Sequence, residues 1–392
     1  MIITFWGSLF IIFYTYIGYG ILLFLLVKIK RTYKPRNRSS SIQKEQLPSC
    51  TLVIAAYNEE YIIREKIQNT LSLSYPEGML KILFVTDGSS DNTPLIISEF
   101  PQIMLMHENA RKGKVAAINR ALTVINTEIV IFTDANTILN KDALTQIAKH
   151  YSNKKVGAVA GEKRILVSES ADAGAAGEGF YWKYESKLKK WDSELYSVVG
   201  AAGELFSIRT ELYEAVSEDI ILDDFIISMK IAQKGYQIVY EPDAYAIENA
   251  SANVSEELKR KVRIAAGGIQ SIIRLYPLLN IFKYGLLSFQ YISHRVLRWT
   301  ITPFLLILNF CINLFIVLSS SEFNIYFFSL SAQITFYILS IFGSIFEKKS
   351  IRIKVFFIPY YFCVMNYAIL AGIWQYIQNK QSSIWVKAAR RL

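Results

Sequence analysis

The amino-acid sequence predicts an α/β domain joined to a helical membrane-spanning region. Two observations support this prediction. Hydrophobic residues make up 52% of the 392 residues, and many of them are gathered in long charge-free stretches at the two ends of the chain. Between these ends, short β-branched runs alternate with amphipathic ones, which is the pattern of a sheet packed against helices. A soluble part and a membrane part are therefore both expected.

The first predicted membrane helix lies at the N-terminus. Ile2–Val27 contains no charged residue, and at about 1.5 Å per residue it is long enough to cross a hydrocarbon core of roughly 30 Å. The run Lys28–Lys44 that follows is rich in Lys and Arg and holds no acid. Because the charges follow the apolar stretch, it is predicted to remain as an anchor and not to be a cleaved signal peptide. The basic flank predicts an outside N-terminus and a cytoplasmic continuation.

The α/β part is predicted between Pro48 and about residue 250. Four β-branched runs are predicted as strands: Thr51–Ala55, Lys81–Thr86, Ile103–His107 and Ile129–Thr133. A helix is predicted at Glu59–Leu73, because Ile63, Ile67 and Leu71 recur at four-residue spacing and form an apolar stripe that faces the sheet.

The C-terminal part is predicted to return to the membrane. Trp299–Ser320 and Phe323–Phe346 are charge-free and predicted to span it, whereas residues 269–298 mix aromatic and basic side chains, as helices lying in the interface do. A third stretch, Val355–Asn379, leaves two arrangements open. If it crosses fully, the basic tail lies outside, against the positive-inside tendency. A re-entrant or tilted segment beginning at Pro359 would return the tail to the cytoplasm.

These features divide the chain into an N-terminal transmembrane helix (1–27), a basic cytoplasmic linker (28–48), a cytoplasmic α/β domain (49–268), interfacial helices (269–298), C-terminal transmembrane helices (299–379) and a basic tail (380–392). The net charge of +10 does not indicate a nucleic-acid partner, because the basic residues flank apolar segments and no base-reading module is visible. Cys50, Cys311 and Cys363 are too far apart for metal spacing, so no disulfide framework or zinc site is expected.

Polar side chains follow three of the predicted strands where each strand ends. Tyr57 and Glu59 follow the first, Asp87 ends the second, and Asp134 ends the strand at Ile129–Thr133, with Asn136 two positions on. Each motif alone is ordinary turn or cap chemistry, but together they lie at the edge where open α/β sheets bind ligands. A carboxylate and an amide oxygen on one side of a chain end can share Mg²⁺ or Mn²⁺.

In this order the motifs resemble those of family 2 glycosyltransferases, especially the membrane-bound branch that includes poly-N-acetylglucosamine, hyaluronan and cellulose synthases. The resemblance covers Thr51 to about Gly268, and it implies the GT-A fold, which is a Rossmann-like mixed sheet. It also implies that Tyr57, Glu59 and Asp87 hold the base of a nucleotide-sugar, a role that their stacking and hydrogen-bonding capacity suits.

The family's metal signature, Asp-x-Asp, is Asp134-Ala-Asn136 in this chain, with an amide in place of the second carboxylate. The resemblance implies that Asp134 and Asn136 bind the divalent cation. The motif Arg111-Lys-Gly-Lys114 precedes an alanine-rich predicted helix, so its cations and N–H groups can meet phosphate at a helix start. The family has this Lys-Gly-Lys element near the diphosphate, which implies that role for Lys112 and Lys114.

Asp223 and Asp224 precede a predicted helix. The family places an acidic pair here, and the resemblance implies that Asp224 is the general base for the acceptor hydroxyl, whereas Asp223 orients it or tunes its pKa through like charge. Upstream, Gly200–Phe206 has small residues that let an acceptor approach closely. It resembles the acceptor-side loop of the family, and Glu204 is a candidate within it.

Processive members of the family carry a Gln-x-x-Arg-Trp element after the base. The equivalent stretch here is Arg260-Lys-Val-Arg-Ile264, in which Arg263 is retained while Gln and Trp are replaced by Arg260 and Ile264. The two arginines can still grip phosphate. The missing tryptophan removes a platform for a terminal sugar and weakens the case for processive polymerisation.

The sequence therefore predicts an inverting hexosyl- or N-acetylhexosaminyltransferase of the cytoplasmic membrane. It would use a nucleotide-sugar and a divalent cation. Among nucleotide-sugars, a UDP-sugar is the favoured donor. The acceptor is left open between a polysaccharide and a lipid-linked glycan, and other polysaccharide-assembly proteins are candidate partners. A second hypothesis is a transporter component or membrane scaffold that kept a catalytically weak sugar-nucleotide fold. It is disfavoured because the catalytic acids are present and the apolar spans hold no charges.

Overall fold

The computed structural model describes residues 1–33, 47–166, 173–249, 254–319, 323–349 and 353–380. Most of the predicted basic linker (28–48) and nearly all of the predicted basic tail (380–392) lie outside these described residues.

Within the described residues, the α/β part forms one mixed sheet of eight strands. The strands are β1 (Cys50–Ala56), β2 (Leu80–Asp87), β3 (Met104–Glu108), β4 (Ile129–Asp134), β5 (Ile138–Leu139), β6 (Val156–Leu166), β7 (Leu205–Arg209) and β8 (Gln237–Asn249). They lie in the order β3-β2-β1-β4-β7-β6-β8-β5. β1 is parallel to β2 and β4, whereas β7 is antiparallel to β4 and β6. The carboxyl ends of β1, β2 and β4 therefore meet at one edge, and these strands match the sequence prediction to within one residue at each end.

The helices, in chain order, are α1 (Ile2–Phe13), α2 (Tyr19–Tyr33), α3 (Ile63–Leu71), α4 (Thr93–Ser98), α5 (Lys114–Leu122), α6 (Ala143–Ala148), α7 (Ala173–Leu195), α8 (Asp223–Gln233), α9 (Val254–Arg274), α10 (Ile281–Tyr284), α11 (Leu286–Tyr291), α12 (Leu297–Trp299), α13 (Ile301–Leu318), α14 (Ile325–Lys348) and α15 (Lys354–Ile377). A π-helical turn, Tyr14–Gly18, joins α1 to α2.

Both faces of the sheet are covered, which is why its central strands are apolar throughout. Successive residues of a strand point to opposite faces. Val53 packs in one core cluster with residues of α5 and α8. Its neighbours Leu52 and Ile54 pack in the other cluster with residues of α3 and α6.

The apolar stripe predicted on α3 is only partly correct. Ile63 and Ile67 are fully buried, but Leu71 is 38% exposed. A four-residue step overshoots the 3.6-residue turn of an α-helix, so the stripe rotates by about 40° at each step. The third member has thereby turned away from the sheet.

Four helices of the described residues are long and apolar enough to cross a membrane: the continuous helix Ile2–Tyr33, then α13, α14 and α15. α13 runs back along α1, because the Asn309 amide donates to the Phe5 carbonyl at 2.9 Å and Thr302 donates to Thr15 at 3.1 Å. α15 continues through Pro359 as one helix of 24 residues, or about 36 Å at 1.5 Å per residue. The structure thus shows no turn at Pro359 of the kind a re-entrant segment needs.

The α/β domain continues into the segment that was predicted to lie in the membrane interface. The predicted boundary at residue 268 falls inside α9, and beyond α9 Leu275, Leu278 and Tyr291 are buried in the same core cluster as Phe225 of α8. α15 also packs on α9, since a Cβ added at Gly372 would lie 2.5 Å from the Cβ of Ala265.

A buried polar cluster joins α7 to the membrane-proximal helices. The Asp192 carboxylate accepts hydrogen bonds from Tyr19 of α2 and from the Gln290 side chain of α11, and it lies 2.6 Å from His294 Nδ1. On α12, Arg298 lies 3.2 Å from Glu185 Oε2. Asp192 and His294 are fully buried.

Candidate active site

The carboxylate at the end of β4 is paired with the first residue of α5. Asp134 Oδ1 accepts a hydrogen bond from Lys114 Nζ at 2.7 Å, and the same ammonium lies 3.9 Å from Asp223 Oδ2. Burial raises the pKa of Asp134, although Lys114 opposes this shift. Burial by itself lowers the pKa of Lys114, but the surrounding carboxylates outweigh it and raise the pKa. Lys114 therefore stays charged beside these acids.

The acidic pair opens α8 at the same place. Asp223 is 7% exposed, and its Oδ2 is buried without a hydrogen-bond partner. Asp224 Oδ1 accepts from the N–H of Phe225 at 2.8 Å. Burial, and after it the neighbouring charge of Asp223, raise the pKa of Asp224 to about 7. A carboxyl with a pKa near neutrality is suited to accept a proton from a hydroxyl group.

Gly203 brings the acceptor-side loop against this cluster. A Cβ added there would lie 3.3 Å from Lys114 Nζ and 3.4 Å from Asp224 Oδ2. The bare glycine thus leaves space beside the ammonium and the carboxylate, and a side chain would narrow it. Burial lowers the pKa of the Arg263 guanidinium on α9, although the charges of Asp223 and Asp224 oppose this shift.

The strand ends of β1 and β2 form a separate pocket beside the acids. Its walls include two of the three predicted base-binding residues, Tyr57 and Asp87, and the full lining is Ala55, Ala56, Tyr57, Val85, Asp87, Arg111, Gly113, Lys114 and Ala117. The Arg111 guanidinium lies 3.7 Å from the centre of the Tyr57 ring. An aromatic ring backed by a cation is suited to stack on a nucleotide base.

Asp87 also holds the lysine-rich loop in place. Its Oδ2 accepts from the backbone N–H groups of Lys112 at 2.9 Å and Gly113 at 2.6 Å. Gly88, directly after it, has φ of +68°, and a Cβ there would lie 2.8 Å from the Arg111 Cα. Only glycine permits this close approach of the two loops. Lys112 itself is exposed and is not among the residues that line the pocket.

Glu59, the third predicted base-binding residue, lies outside the lining of this pocket. It is 1% exposed. Its backbone N–H donates to Thr93 at 2.8 Å, and its carbonyl accepts from the N–H groups of Ile62 and Ile63 at the start of α3. These contacts place Glu59 in the joint between β1 and α3.

The residues after Asp134 form a turn, not the extended chain end expected from the sequence. Asp134 therefore faces Lys114, while the Asn136 amide donates to Glu248 Oε1 of β8 at 3.3 Å. Asn136 Oδ1 is buried and has no hydrogen-bond partner. Among the described residues, no group of three or more His, Cys, Asp or Glu side chains is arranged to hold a metal ion.

Glu204 is partly buried and belongs to a charge network. Lys163 Nζ donates both to Glu204 Oε1 and to Glu248 Oε2. Although burial opposes it, the Lys163 ammonium lowers the pKa of Glu204, with a smaller contribution from Arg260. Arg260 itself binds Glu257 one turn earlier on α9, at 3.0 Å. Of the two arginines predicted to grip phosphate, Arg260 is thus paired with Glu257, and Arg263 interacts electrostatically with Asp223 and Asp224.

Three buried charged residues around the site were not singled out from the sequence: Lys66, Lys163 and Glu248. Lys66 of α3 donates to the carbonyl of Thr137 at 2.7 Å, beneath the Asp134 turn, and burial lowers its pKa to about 7. Each lies at a buried position of its helix or strand, Lys66 beside the buried Ile67 of α3, Lys163 on β6 and Glu248 on β8. A charge on the core side of a helix or strand is a signal that could have identified them, because unpaired buried charges are costly.

The model of one protein family, Glycosyl transferase family 2, matches residues 51–216. A poly-beta-1,6-N-acetyl-D-glucosamine synthase of Staphylococcus epidermidis is 27% identical over 368 residues, which are 86% of this chain and 86% of that protein. A synthase of the same name from Staphylococcus aureus is 26% identical over 249 residues, 61% of this chain and 59% of that protein.

Among solved structures, a mannosyltransferase from Pyrobaculum calidifontis in complex with GDP-Man and Mn²⁺ has the same fold. Its TM-score is 0.69 at 21% identity, and the match covers 95% of this chain and 99% of that one. The sheet order and the strand-end acids described above agree with this fold. Residues 51–216 thus form a glycosyl transferase family 2 domain, and the chain is a glycosyltransferase with the GT-A fold.

Proposed function

We propose that the chain is an inverting transferase that moves a hexose or an N-acetylhexosamine from a nucleotide-sugar, a UDP-sugar in first place, to a polysaccharide or lipid-linked glycan. The observation that carries the proposal is the position of Asp224. Its carboxyl has a pKa of about 7 and lies with Lys114 against the bare Gly203. The proposed general base and the Lys114 ammonium thus lie together at a point that an acceptor can approach.

Asp224 accepts the proton of the acceptor hydroxyl, whose oxygen attacks the anomeric carbon as the bond to the nucleoside diphosphate breaks. One such displacement inverts the anomeric configuration. Asp223 raises the pKa of Asp224 by its charge, which strengthens the base. Lys114 and Arg263 lie where they can meet negative charge on the leaving diphosphate, so the contribution of the protein is positioning and electrostatic stabilisation.

The donor fits the pocket next to this cluster. Tyr57, backed by Arg111 at 3.7 Å, offers a ring for the base, and the N-terminus of α5 with Lys112 and Lys114 offers donors for the phosphates. Asp87 supports this loop through its two backbone hydrogen bonds.

A divalent cation, Mg²⁺ or Mn²⁺, fits residues at the end of β4. Asn136 Oδ1 is a buried oxygen with no hydrogen-bond partner. Asp134 offers a carboxylate, which the Lys114 ammonium binds in the structure. Mg²⁺ is commonly bound by one or two protein oxygens together with substrate phosphates. Asp134 and Asn136 would hold the ion, and its charge would offset that of the leaving diphosphate. The Mn²⁺ in the related mannosyltransferase supports this assignment.

The α/β domain is placed on the cytoplasmic side of the membrane in this proposal. Lys30 and Arg31 at the end of α2 bind the last turn of α7, with Lys30 Nζ 2.8 Å from two of its carbonyls. The basic end of the first membrane helix is therefore fixed to the domain, and basic flanks favour the cytoplasmic side.

The test is a panel of nucleotide-sugars, including UDP-N-acetylglucosamine, UDP-glucose and GDP-mannose, assayed with the purified full chain in detergent. Release of nucleoside diphosphate should depend on one donor, on Mn²⁺ or Mg²⁺ and on an added glycan or lipid-linked acceptor. Asp224→Asn should bind the donor and transfer almost nothing. No release from any donor, or near-normal transfer by Asp224→Asn, would overturn the proposal. Product length then separates a polymerase from an enzyme that adds a single sugar.

A further inference from the structure

The amide of Asn136 has only one orientation that its surroundings permit. A carboxylate accepts hydrogen bonds and donates none. Glu248 Oε1 therefore takes the Nδ2 side of the amide, at 3.3 Å, and Oδ1 points the other way. That oxygen is buried and has no hydrogen-bond partner, although a buried acceptor normally has one.

Glu248 is itself held from the other side. It is 3% exposed and lies on β8, which pairs with β6 close to Lys163. Lys163, also 3% exposed, donates to Glu248 Oε2 and to Glu204 Oε1. One ammonium is therefore shared by two carboxylates. Glu248 brings its negative charge to the metal motif through the hydrogen bond from the Asn136 amide.

This arrangement explains why the motif ends in an amide. An aspartate at position 136 would place two carboxylates within hydrogen-bond distance of each other, and one of them would have to move or take up a proton. With Asn136 the same contact is a hydrogen bond. The negative charge that a second aspartate would carry stands one side chain farther away, on Glu248.

We propose that Glu248 is a positioning residue for the divalent cation: it turns Asn136 Oδ1 towards the ion and supplies the missing negative charge, while Lys163 holds Glu248 in place. This inference rests on the proposed function, since it concerns the cation of the donor complex. Positions 136 and 248 then form a matched pair, which carries one carboxylate and one amide. The carboxylate can stand at either position, because a glutamine at 248 can donate to an aspartate at 136 and accept from Lys163.

The experiment compares the full chain in detergent with three variants: Glu248→Gln, Asn136→Asp and the double variant. The probe is Mn²⁺ with UDP or GDP, and the affinity is measured from the electron paramagnetic resonance signal of free Mn²⁺. Glu248→Gln should weaken Mn²⁺ binding about tenfold, as loss of an outer-shell partner commonly does. Adding Asn136→Asp to it should restore the affinity to within about threefold of the original chain. Melting in EDTA checks the contact itself, since Asn136→Asp alone should lower the melting temperature and the double variant should recover it.

Glu162→Gln is the matched control, because Glu162 is the acid directly before Lys163 and bonds Ser186 instead. It should leave Mn²⁺ affinity unchanged. If Glu248→Gln binds Mn²⁺ like the original chain, or if the double variant is no better than Glu248→Gln, the inference is wrong while the proposed function stands. If the original chain binds no Mn²⁺ with either nucleotide, the cation of the proposed function fails, and the role of Glu248 fails with it.

Discussion

The pH dependence of transfer should report the ionisation of Asp224. A general base acts when it is deprotonated. With a pKa of about 7, Asp224 is about 10% ionised at pH 6 and fully ionised above about pH 8. The rate of transfer should therefore rise about tenfold between pH 6 and a plateau at alkaline pH.

The variant Asp223→Asn tests the cause of this shift. The rise of the Asp224 pKa from 3.8 to about 7 corresponds to about 4 kcal/mol against ionisation, at about 1.4 kcal/mol per pH unit. Burial is the larger cause and the charge of Asp223 the second. For an assumed separation of about 6 Å between the two carboxylates, the interaction is about 1.4 kcal/mol at an effective dielectric constant of about 40, between the protein and water limits. Removing the Asp223 charge should thus lower the pKa by about one unit.

The direction in which the pH–rate profile moves follows from the role of Asp224 as a base. A lower pKa moves the acid limb to lower pH, so the rate at pH 6, relative to the plateau of the same variant, should rise about fivefold in Asp223→Asn. The assay is the initial rate of nucleoside diphosphate release between pH 5 and 9 with saturating donor. Glu218→Gln, an exposed acid five residues upstream, is the control and should keep the original profile. An acid limb that stays in place or moves to higher pH in Asp223→Asn would refute the reasoning.

Three other substitutions test separate parts of the structure. Asp134→Ala should lower kcat about 100-fold or more in the same assay, and full activity would contradict its role. Tyr57→Ala should raise the donor KM about tenfold by loss of base stacking, whereas Tyr57→Phe keeps the ring beside Arg111 and should not. Gly372→Val should lower the melting temperature in detergent, because its Cβ would lie 2.5 Å from a neighbouring Cβ on α9 and overpacking costs about 1–3 kcal/mol. Gly7→Val has open space and should leave the melting temperature unchanged.

The strand-end residues could be predicted because their signal is local. β1, β2 and β4 are apolar runs bounded by turn residues, and parallel strands bring their carboxyl ends together without any knowledge of side-chain contacts. Tyr57, Asp87 and Asp134 follow directly from that rule. The roles proposed for Lys112 and Asp224 needed the family resemblance as well, since a basic loop and an acidic helix start are ordinary surface features.

The partners of Asn136 could not be predicted in this way. Glu248 of β8 accepts from its amide, and Lys163 of β6 in turn holds Glu248. Both strands follow the metal motif in sequence and pair with each other away from β1 and β2. Their register depends on tertiary packing, which periodicity does not encode. The burial of Glu59 could not be predicted for a related reason: the residue has the type expected of a binding group, and only the joint between β1 and α3 buries it.

The buried cluster around Asp192 determines which truncated forms of this enzyme can fold. A chain that begins after residue 33 loses Tyr19, and one that ends at Arg274 loses Gln290 and His294, all of which bond Asp192. A buried carboxylate stripped of its partners strongly destabilises a fold. The smallest piece that can fold alone therefore includes the first and the membrane-proximal helices, so soluble expression of the sugar-transferring part by simple truncation should give aggregated protein.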